Sequence, residues 1–229
     1  MNESVPTNTE PAWEQFAQED PLWYIDMAHN GDPERFWRKG RESAEHLLDR
    51  AEPYLAGEET VIDIGCGVGR LLLPMASHFR HLVGVDIAPT MLERLQANAS
   101  ERGVTVDTYL PDGLWDEHDA DLLYSKIVFR HIDERSVIQD YIRRISAALK
   151  PSGVAVLDFD TRPETVLYRL RNHAPDALLP RAWQENARGT RRSSQQIRQW
   201  FYDCDLRIAD ERDPESGAHE FILVPGSSL

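Results

Sequence analysis

The chain has 229 residues, 41% of them hydrophobic and 28% charged, which is the size and composition of one folded globular domain. Its 25 Lys and Arg face 39 Asp and Glu, and the net charge of -14 would repel a nucleic-acid backbone. A membrane helix needs about 20 apolar residues, and no apolar run approaches that length. Residues 1–11 lack the pattern of a secretory signal. We therefore expect a cytoplasmic protein without nucleic-acid or membrane partners.

Cysteine usage gives no sign of a disulfide framework or a metal site. The two cysteines, Cys66 and Cys204, form no CxxC pair, and no His cluster has metal-ligand spacing. No partner base for Cys66 is identifiable in the sequence, so we interpret it as a small residue that fills a loop.

The N-terminal part is predicted to be a polar tail followed by two helices. Residues 1–12 are rich in Asn, Thr, Glu and Pro, which predicts an unordered tail. One helix is expected over 12–27 and a second over 33–53, with Asp32 as its N-cap and proline at its first position. Residues 13–55 would form a helical cap.

Short β-branched strands then alternate with helical patterns through residues 56–160. The strands are expected at 60–64, 82–86, 104–109, 121–126 and 153–159, and the helices at 68–79, 89–102 and 134–149. Strands separated by helices predict right-handed crossovers and a parallel sheet that is covered on both faces.

The pattern changes after residue 160 but completes the same single domain, which we assign to residues 13–229. The segment 161–229 would supply helices on the acceptor side and a closing hairpin. Its expected elements are a helix over 163–171, a helix capped by Ser193 or Ser194, and antiparallel strands over 206–211 and 220–224.

A concentrated positive stretch lies in this last segment, at Arg181, Arg188, Arg191 and Arg192. Guanidinium groups suit carboxylates and phosphates, so one interpretation is a site for an anionic small-molecule acceptor. The other is a solvated charged face that binds no ligand.

A glycine-rich turn follows the first strand of the core. Gly65, Gly67 and Gly69 let the backbone bend tightly and let a ligand approach the main chain. Asp86 ends the next strand, 21 residues after Gly65, close to the roughly 20 expected for a carboxylate that accepts hydrogen bonds from ribose hydroxyls. Turn and acid together predict a nucleotide-type site.

Two residues separate this turn from the dinucleotide fingerprint. Arg70 stands where close packing of helix on strand favours glycine or alanine. Asp63 places a negative charge at the start of the turn, which suits a cationic ligand better than a pyrophosphate. A second interpretation of Asp63 is that its carboxylate caps N–H groups of the turn. Both residues disfavour a nicotinamide dinucleotide.

The block Asp63-x-Gly-x-Gly-x-Gly and the segment 84–92 resemble the first two motifs of the class I S-adenosylmethionine-dependent methyltransferases. Later segments resemble that family in the same order, at 111–114, 123–132 and 149–153. The resemblance covers about residues 55–160. It implies an α/β fold with a doubly wound, mostly parallel seven-stranded sheet, a C-terminal antiparallel hairpin and N-terminal helices over the cofactor site.

The resemblance also implies S-adenosyl-L-methionine as the cofactor and assigns residues to it. The turn of Gly65, Cys66 and Gly67 passes under the methionine part, and backbone at Ser125 and Lys126 lines the sulfonium end. Asp86 takes the ribose hydroxyls. Around the adenine the implied residues are Ile87, Met91, Asp112, Gly113 and Leu114, with Asp112 meeting the amino group.

Three further candidates also have an interpretation that involves no ligand. Tyr24 and Arg41 lie in the N-terminal helices. The aromatic face of Tyr24 can attract a sulfonium, and the Arg41 guanidinium can pair with a carboxylate. Alternatively, both residues only pack in the core or lie on the surface. His131 follows the fourth strand and could take a proton from a hydroxyl or amine. Alternatively it only holds its loop, because alignment alone can drive an in-line displacement.

These observations predict an enzyme that moves a methyl group from S-adenosylmethionine to an oxygen or nitrogen atom of a small molecule. The alternatives are a cofactor-binding but catalytically silent regulatory or scaffold protein and, less favoured, an NAD-dependent oxidoreductase. The sequence does not specify the acceptor or the oligomeric state.

Overall fold

The computed structural model describes residues 10–19, 21–25, 31–166, 168, 170 and 189–226. Its helices are α1 (Glu10–Glu19), α2 (Pro21–Ile25), α3 (Pro33–Ala51), α4 (Pro89–Glu101), α5 (Arg135–Ala148) and α6 (Ser194–Asp203). Its strands are β1 (Thr60–Ile64), β2 (His81–Val85), β3 (Asp107–Tyr109), β4 (Ala120–Ser125), β5 (Leu149–Phe159), β6 (Leu206–Arg212) and β7 (His219–Pro225).

The strands form one seven-stranded sheet in the order β3-β2-β1-β4-β5-β7-β6. Strands β1 to β5 lie parallel to one another, whereas β7 pairs antiparallel with both β5 and β6. The expected doubly wound sheet and its closing hairpin are therefore confirmed. The chain order reverses between β1 and β4, and in open parallel sheets ligands bind beside the carboxyl ends of the strands at such a point.

The sheet is covered on both faces, as its buried strands require. Helix α5 buries Ile138, Ile142 and Ile145 against the face that carries Ile62 and Leu123. On the other face, α3 contributes Ala44, Leu47 and Ala51 to a second cluster of buried side chains. These two layers fix the strand ends that carry the site.

Two predicted helices differ from the structure, and proline explains both differences. The expected helix over 68–79 is a series of turns followed by a 3-10 helix over Leu73–Ser77. An α-helix would need an N–H at position 74 to bond the carbonyl of Arg70, and Pro74 has none. The expected helix over 12–27 is divided into α1 and α2 because Pro21 likewise cannot continue the hydrogen-bonding ladder.

Other boundaries moved by a few residues, which is where sequence patterns are least informative. The third strand is confined to residues 107–109, and β5 begins directly after α5 rather than at residue 153. Ser193 rather than Ser194 caps α6, its hydroxyl accepting from Gln196 N at 3.3 Å. In the predicted helix over 163–171, residues 163–165 are not helical, whereas Val166, Tyr168 and Leu170 are. Residues 167, 169 and 171 lie outside the described residues.

Within the described parts of the chain, no helix has the combination of length and apolarity that crossing a bilayer requires.

Candidate cofactor site

A cavity of about 310 Å³ opens where β1, β2 and β4 end, and α1 and α2 lie over it. The sequence-predicted residues that line it are Asp63, Gly65, Cys66, Gly67, Asp86, Ile87, Met91, Lys126 and His131. These residues come from three separate segments, 63–67, 86–91 and 126–131, so the fold brings together residues that are distant in sequence.

The turn after β1 needs glycine because another chain segment lies against it. Gly65 has φ +81°, and a Cβ on it would lie 2.1 Å from Val128 Cγ2. The N–H groups of Gly65 and Cys66 both donate to the carbonyl of Val85, at 2.7 and 3.1 Å, which ties the turn to β2. The backbone is thus exposed to the cavity without a side chain to obstruct it.

Asp86 connects the end of β2 to the glycine turn. Its Oδ2 accepts a hydrogen bond from Gly67 N at 2.8 Å and its Oδ1 accepts one from Ala88 N at 3.0 Å. Burial raises the pKa of this carboxyl, while the backbone donors at Ala88 and Gly67 oppose the rise. The carboxylate is therefore held in one orientation at the cavity wall.

Asp63 is a second acid in the cavity wall and is 4% exposed. Its pKa is raised to about 8, mainly by burial and to a smaller extent by the nearby Asp86, whereas Tyr124 at the paired position on β4 opposes the rise. No ion pair among the described residues involves Asp63, so a cation bound beside it would favour the ionised carboxylate.

Cys66 is buried, and burial raises the pKa of its thiol well above the ordinary value. A thiol that resists ionisation is a poor nucleophile. The structure therefore agrees with its interpretation as a loop filler.

The segment after β4 borders the other end of the cavity. Lys126 Nζ lies 2.9 Å from both Asp158 Oδ2 and Glu220 Oε2. Ile127 is left-handed, with φ +66°, and its N–H donates to Asp158 Oδ1 at 2.7 Å. A β-branched residue adopts this conformation only under strong constraint, and here it leaves the Ile127 side chain 51% exposed at the cavity.

His131 lies under helix α1. Its ring meets the Trp13 ring edge to face, with centroids 5.5 Å apart, and both residues line the cavity. Helix α1 is attached by Glu14, whose carboxylate accepts from Thr90 N at 3.1 Å and from the Thr90 hydroxyl at the start of α4. The N-terminal helices thus cover the imidazole as well as the glycine turn.

The arginine stretch does not form an exposed positive face at its described members. Arg192 is 7% exposed and donates to the carbonyls of Ile132 at 2.5 Å and Asp133 at 3.0 Å. Arg191 donates to Pro163 O at 2.7 Å and lies over the Tyr168 ring. Arg181 and Arg188 lie outside the described residues.

Apart from Tyr24, the remaining predicted site residues lie outside the cavity lining. Asp112, Gly113 and Leu114 form the loop after β3, in which Asp112 and Leu114 are exposed. Ser125 is fully buried, its hydroxyl donating to Ile64 O at 3.0 Å. Arg41 is on the exposed face of α3. Tyr24 belongs to α2, but its side chain lies outside what the structure describes.

Several lining residues were missed by the sequence patterns, above all Arg70, Tyr141 and Trp13. Arg70 follows the glycine turn, so its position next to a predicted ligand loop was a usable signal. Tyr141 lies on the stripe of a helix that the pattern assigns to the core. Trp13 is far away in sequence, and no local signal placed it over the cavity.

Comparisons with known proteins agree with this architecture. Residues 61–153 match a family described as a methyltransferase domain. An S-adenosylmethionine-dependent methyltransferase from Clostridium acetobutylicum has a similar fold, with a TM-score of 0.67 and 13% identity over 94% of this chain and 100% of that chain. Magnesium protoporphyrin IX methyltransferase from Synechocystis, solved with bound SAH, gives a TM-score of 0.64 and 19% identity over 94% and 99% of the two chains.

Curated relatives match short segments only. An uncharacterized RNA methyltransferase of Staphylococcus aureus is 39% identical over 67 residues, 28% of this chain and 15% of that protein. A ubiquinone biosynthesis O-methyltransferase of Rickettsia conorii is 29% identical over 98 residues, 42% of this chain and 33% of that protein. The chain therefore spans between about a seventh and a third of the length of these relatives.

The raised pKa of Asp63 predicts a pH-dependent stability. The folded protein keeps this proton up to about pH 8, but the unfolded chain releases it near pH 4. The associated stabilisation is therefore complete below about pH 4 and is lost as the pH rises through 8. We expect the melting temperature of the parent to fall between pH 5 and pH 8 by several degrees more than that of Asp63→Asn.

Scanning calorimetry at the two pH values measures this difference. Asp107→Asn, which changes an exposed acid at the start of β3, is the control and should follow the parent. Equal pH dependence in the parent and in Asp63→Asn would show that Asp63 titrates normally.

Proposed function

We propose that the chain is a class I S-adenosylmethionine-dependent methyltransferase and that it transfers a methyl group from S-adenosylmethionine to an oxygen or nitrogen atom of a small molecule. The observation that carries the proposal is the hydrogen bond between the glycine turn and Asp86, at the point of the sheet where the chain order reverses. The acidic cavity supports it as well, because Asp63 and Asp86 favour a cationic ligand over a pyrophosphate.

The residues present fit this cofactor. Gly65 and Gly67 line the cavity without side chains, and a Cβ on Gly65 would strike Val128. Backbone at the turn can therefore lie under an extended aminoacyl chain. Asp63 is a buried acid in the cavity wall, and a bound ammonium group would favour its ionised form. Arg70 lines the cavity and is better placed than the exposed Arg41 to pair with the carboxylate.

The order of the strands gives the ligand a direction. The turn after β1 receives the methionine part, and Asp86 at the end of β2 accepts hydrogen bonds from the ribose hydroxyls. Because β3 lies next to β2 and away from β1, the adenine extends toward the loop after β3. Ile87 and Met91 then flank the base, and Asp112 accepts from its amino group.

When bound, the cofactor supplies a methyl group that its sulfonium has activated for displacement. The chain's own residues align the acceptor and exclude water. Trp13 and Ile25 cover the cavity from α1 and α2, and Ile127 presents an apolar surface at the end near β4. His131 lies at that end and accepts the proton that a hydroxyl or amine releases.

The acceptor is a small molecule in this proposal because of charge. A net charge of -14 opposes the contacts with phosphates that dominate RNA binding. The relative named as an RNA methyltransferase matches over only 15% of its length, so its name does not decide the acceptor class for this chain.

Labelled transfer tests the acceptor class. We expect the purified protein, incubated with methyl-labelled S-adenosylmethionine and a fractionated extract, to label the small-molecule fraction. Label in RNA or protein would overturn the acceptor class. Cofactor binding without transfer to any fraction would favour the catalytically silent scaffold.

Asp86 is expected to control cofactor affinity. In Asp86→Ala, the loss of charged hydrogen bonds should weaken the binding of S-adenosylhomocysteine roughly a hundredfold. Asp86→Asn keeps an acceptor for Gly67 N–H and so separates the loss of charge from a collapse of the turn. Calorimetric titration measures both variants against Glu93→Ala, an exposed acid on α4, and unchanged affinity in Asp86→Ala would contradict the assigned site.

His131 is expected to affect turnover rather than cofactor binding. His131→Gln removes a proton acceptor, and general-base catalysis typically contributes about a hundredfold or more to the rate. We expect a matching loss of labelled product, loss of the acidic limb of the pH profile, and affinity for S-adenosylhomocysteine within about twofold of the parent. His78→Gln, at an exposed histidine, is the control. A variant with parental rate and pH profile would show that His131 only holds its loop.

A further inference from the structure

We propose that Arg144 on helix α5 is a positioning residue for the loop after β3, which we call the purine loop (residues 110–116). The inference rests on the proposed function, in which this loop receives the adenine of the cofactor. Arg144 does not line the cavity, so it acts through the loop and touches no ligand.

The donors of Arg144 all point to this one loop. Nη1 donates to the carbonyl of Pro111 and Nη2 donates to the carbonyl of Gly113. Nε and Nη2 also donate to the two carboxylate oxygens of Asp116, at 2.8 and 2.6 Å. Two backbone carbonyls that flank Asp112 are therefore bonded to the same rigid, planar group.

Trp115 adds an apolar surface to the same arrangement. The Arg144 guanidinium carbon lies 4.3 Å from the centre of the Trp115 ring, which is fully buried. The indole Nε1 donates to Pro111 O at 3.0 Å, so this carbonyl accepts from two different side chains. An Arg that stacks and forks in this way cannot be replaced by Lys without losing contacts.

The purine loop has little other support. Strand β3 has three residues and lies at the edge of the sheet, so it has a neighbour on one side only. The described backbone hydrogen bonds that the carbonyls of the loop accept are those from Gly113 N to Leu110 O at 2.9 Å, from Glu117 N to Leu114 O at 3.2 Å and from His118 N to Trp115 O at 3.4 Å. Leu114 is 61% exposed. The external donors of Arg144 therefore fix a segment that its own backbone would leave loose.

The same helix connects the purine loop to the cavity. Tyr141, one turn before Arg144, lines the cavity, and its ring stacks on Trp115 at 6.3 Å with an interplanar angle of 26°. Arg144 and Asp116 stabilise each other's charged forms: their hydrogen bond lowers the pKa of Asp116 and raises that of Arg144. The loop is thus pre-shaped at any pH at which the protein is folded and Asp116 is ionised.

Two variants and a neighbouring control test the proposal. Arg144→Met keeps the aliphatic stem against Trp115 but removes every donor. Arg144→Lys keeps the charge opposite Asp116 but cannot reach both carbonyls. Arg143→Met changes the adjacent residue of the same helix, which is 67% exposed and pairs only with Asp140 among the described residues. Melting temperatures establish that each variant is folded.

The readout is calorimetric affinity for two ligands that differ at the purine. S-adenosylhomocysteine carries the 6-amino group that Asp112 would accept from, and S-inosylhomocysteine carries a carbonyl oxygen there. We expect the parent to prefer the adenosyl compound. In both Arg144 variants, affinity for that compound should fall about tenfold and the preference should shrink toward equality, whereas Arg143→Met should match the parent.

The outcomes separate this inference from the proposed function. An equal loss for both ligands, with the preference intact, would assign Arg144 to general stability and overturn the positioning role. Unchanged affinities in a folded Arg144→Met or Arg144→Lys would overturn it too. If the parent binds neither compound, the proposed cofactor is wrong and the inference falls with it. If Arg144→Met does not fold, Arg144→Lys decides.

Discussion

The hydrogen bond from Gly67 N to Asp86 Oδ2, at 2.8 Å, is the interaction on which the arrangement of the site depends. It joins the turn after β1 to the end of β2, two segments that meet only because the sheet is parallel. The turn can make this contact since Gly65 carries no side chain that would strike Val128. The same partly buried acid therefore fixes the turn and, in the proposed function, also contacts the ligand.

Local patterns predicted the sheet and the two segments that carry most of the site. The alternation of apolar strands with helices such as α5 fixes a parallel sheet, and parallel strands place their carboxyl ends together. Glycines before a helix and an acid at the next strand end can be recognised from spacing alone, so Gly65, Gly67 and Asp86 were accessible from the sequence. The predicted helix over 68–79 was wrong because the apolar spacing was given more weight than Pro74.

Residues that join the site through tertiary packing could not be predicted in this way. Tyr141 sits among the buried isoleucines of α5, where an aromatic residue reads as core, and it reaches the cavity only because that helix packs beside the end of β4. Arg41 has the charge that a carboxylate needs but lies on the exposed face of α3. The sequence gives the type of each side chain. That Arg70 and not Arg41 lines the cavity depends on the rotation of α3, which is set by contacts between distant segments. One such contact is the close approach of Gly40 to the carbonyl of Arg70.

Two loops at the carboxyl edge of the sheet are held by the same means, at different electrostatic cost. Loops at the carboxyl edge of a sheet leave carbonyls without backbone donors, and a guanidinium can satisfy several at once. Arg144 does so at the purine loop with Asp116 as its counter-ion. Arg192 does so for the carbonyls of Ile132 and Asp133, but burial lowers its pKa and no ion pair with it is found in the described chain. Because a buried cation without an ion-pair partner depends more strongly on its hydrogen bonds, the segment that carries His131 is under the stricter geometric constraint.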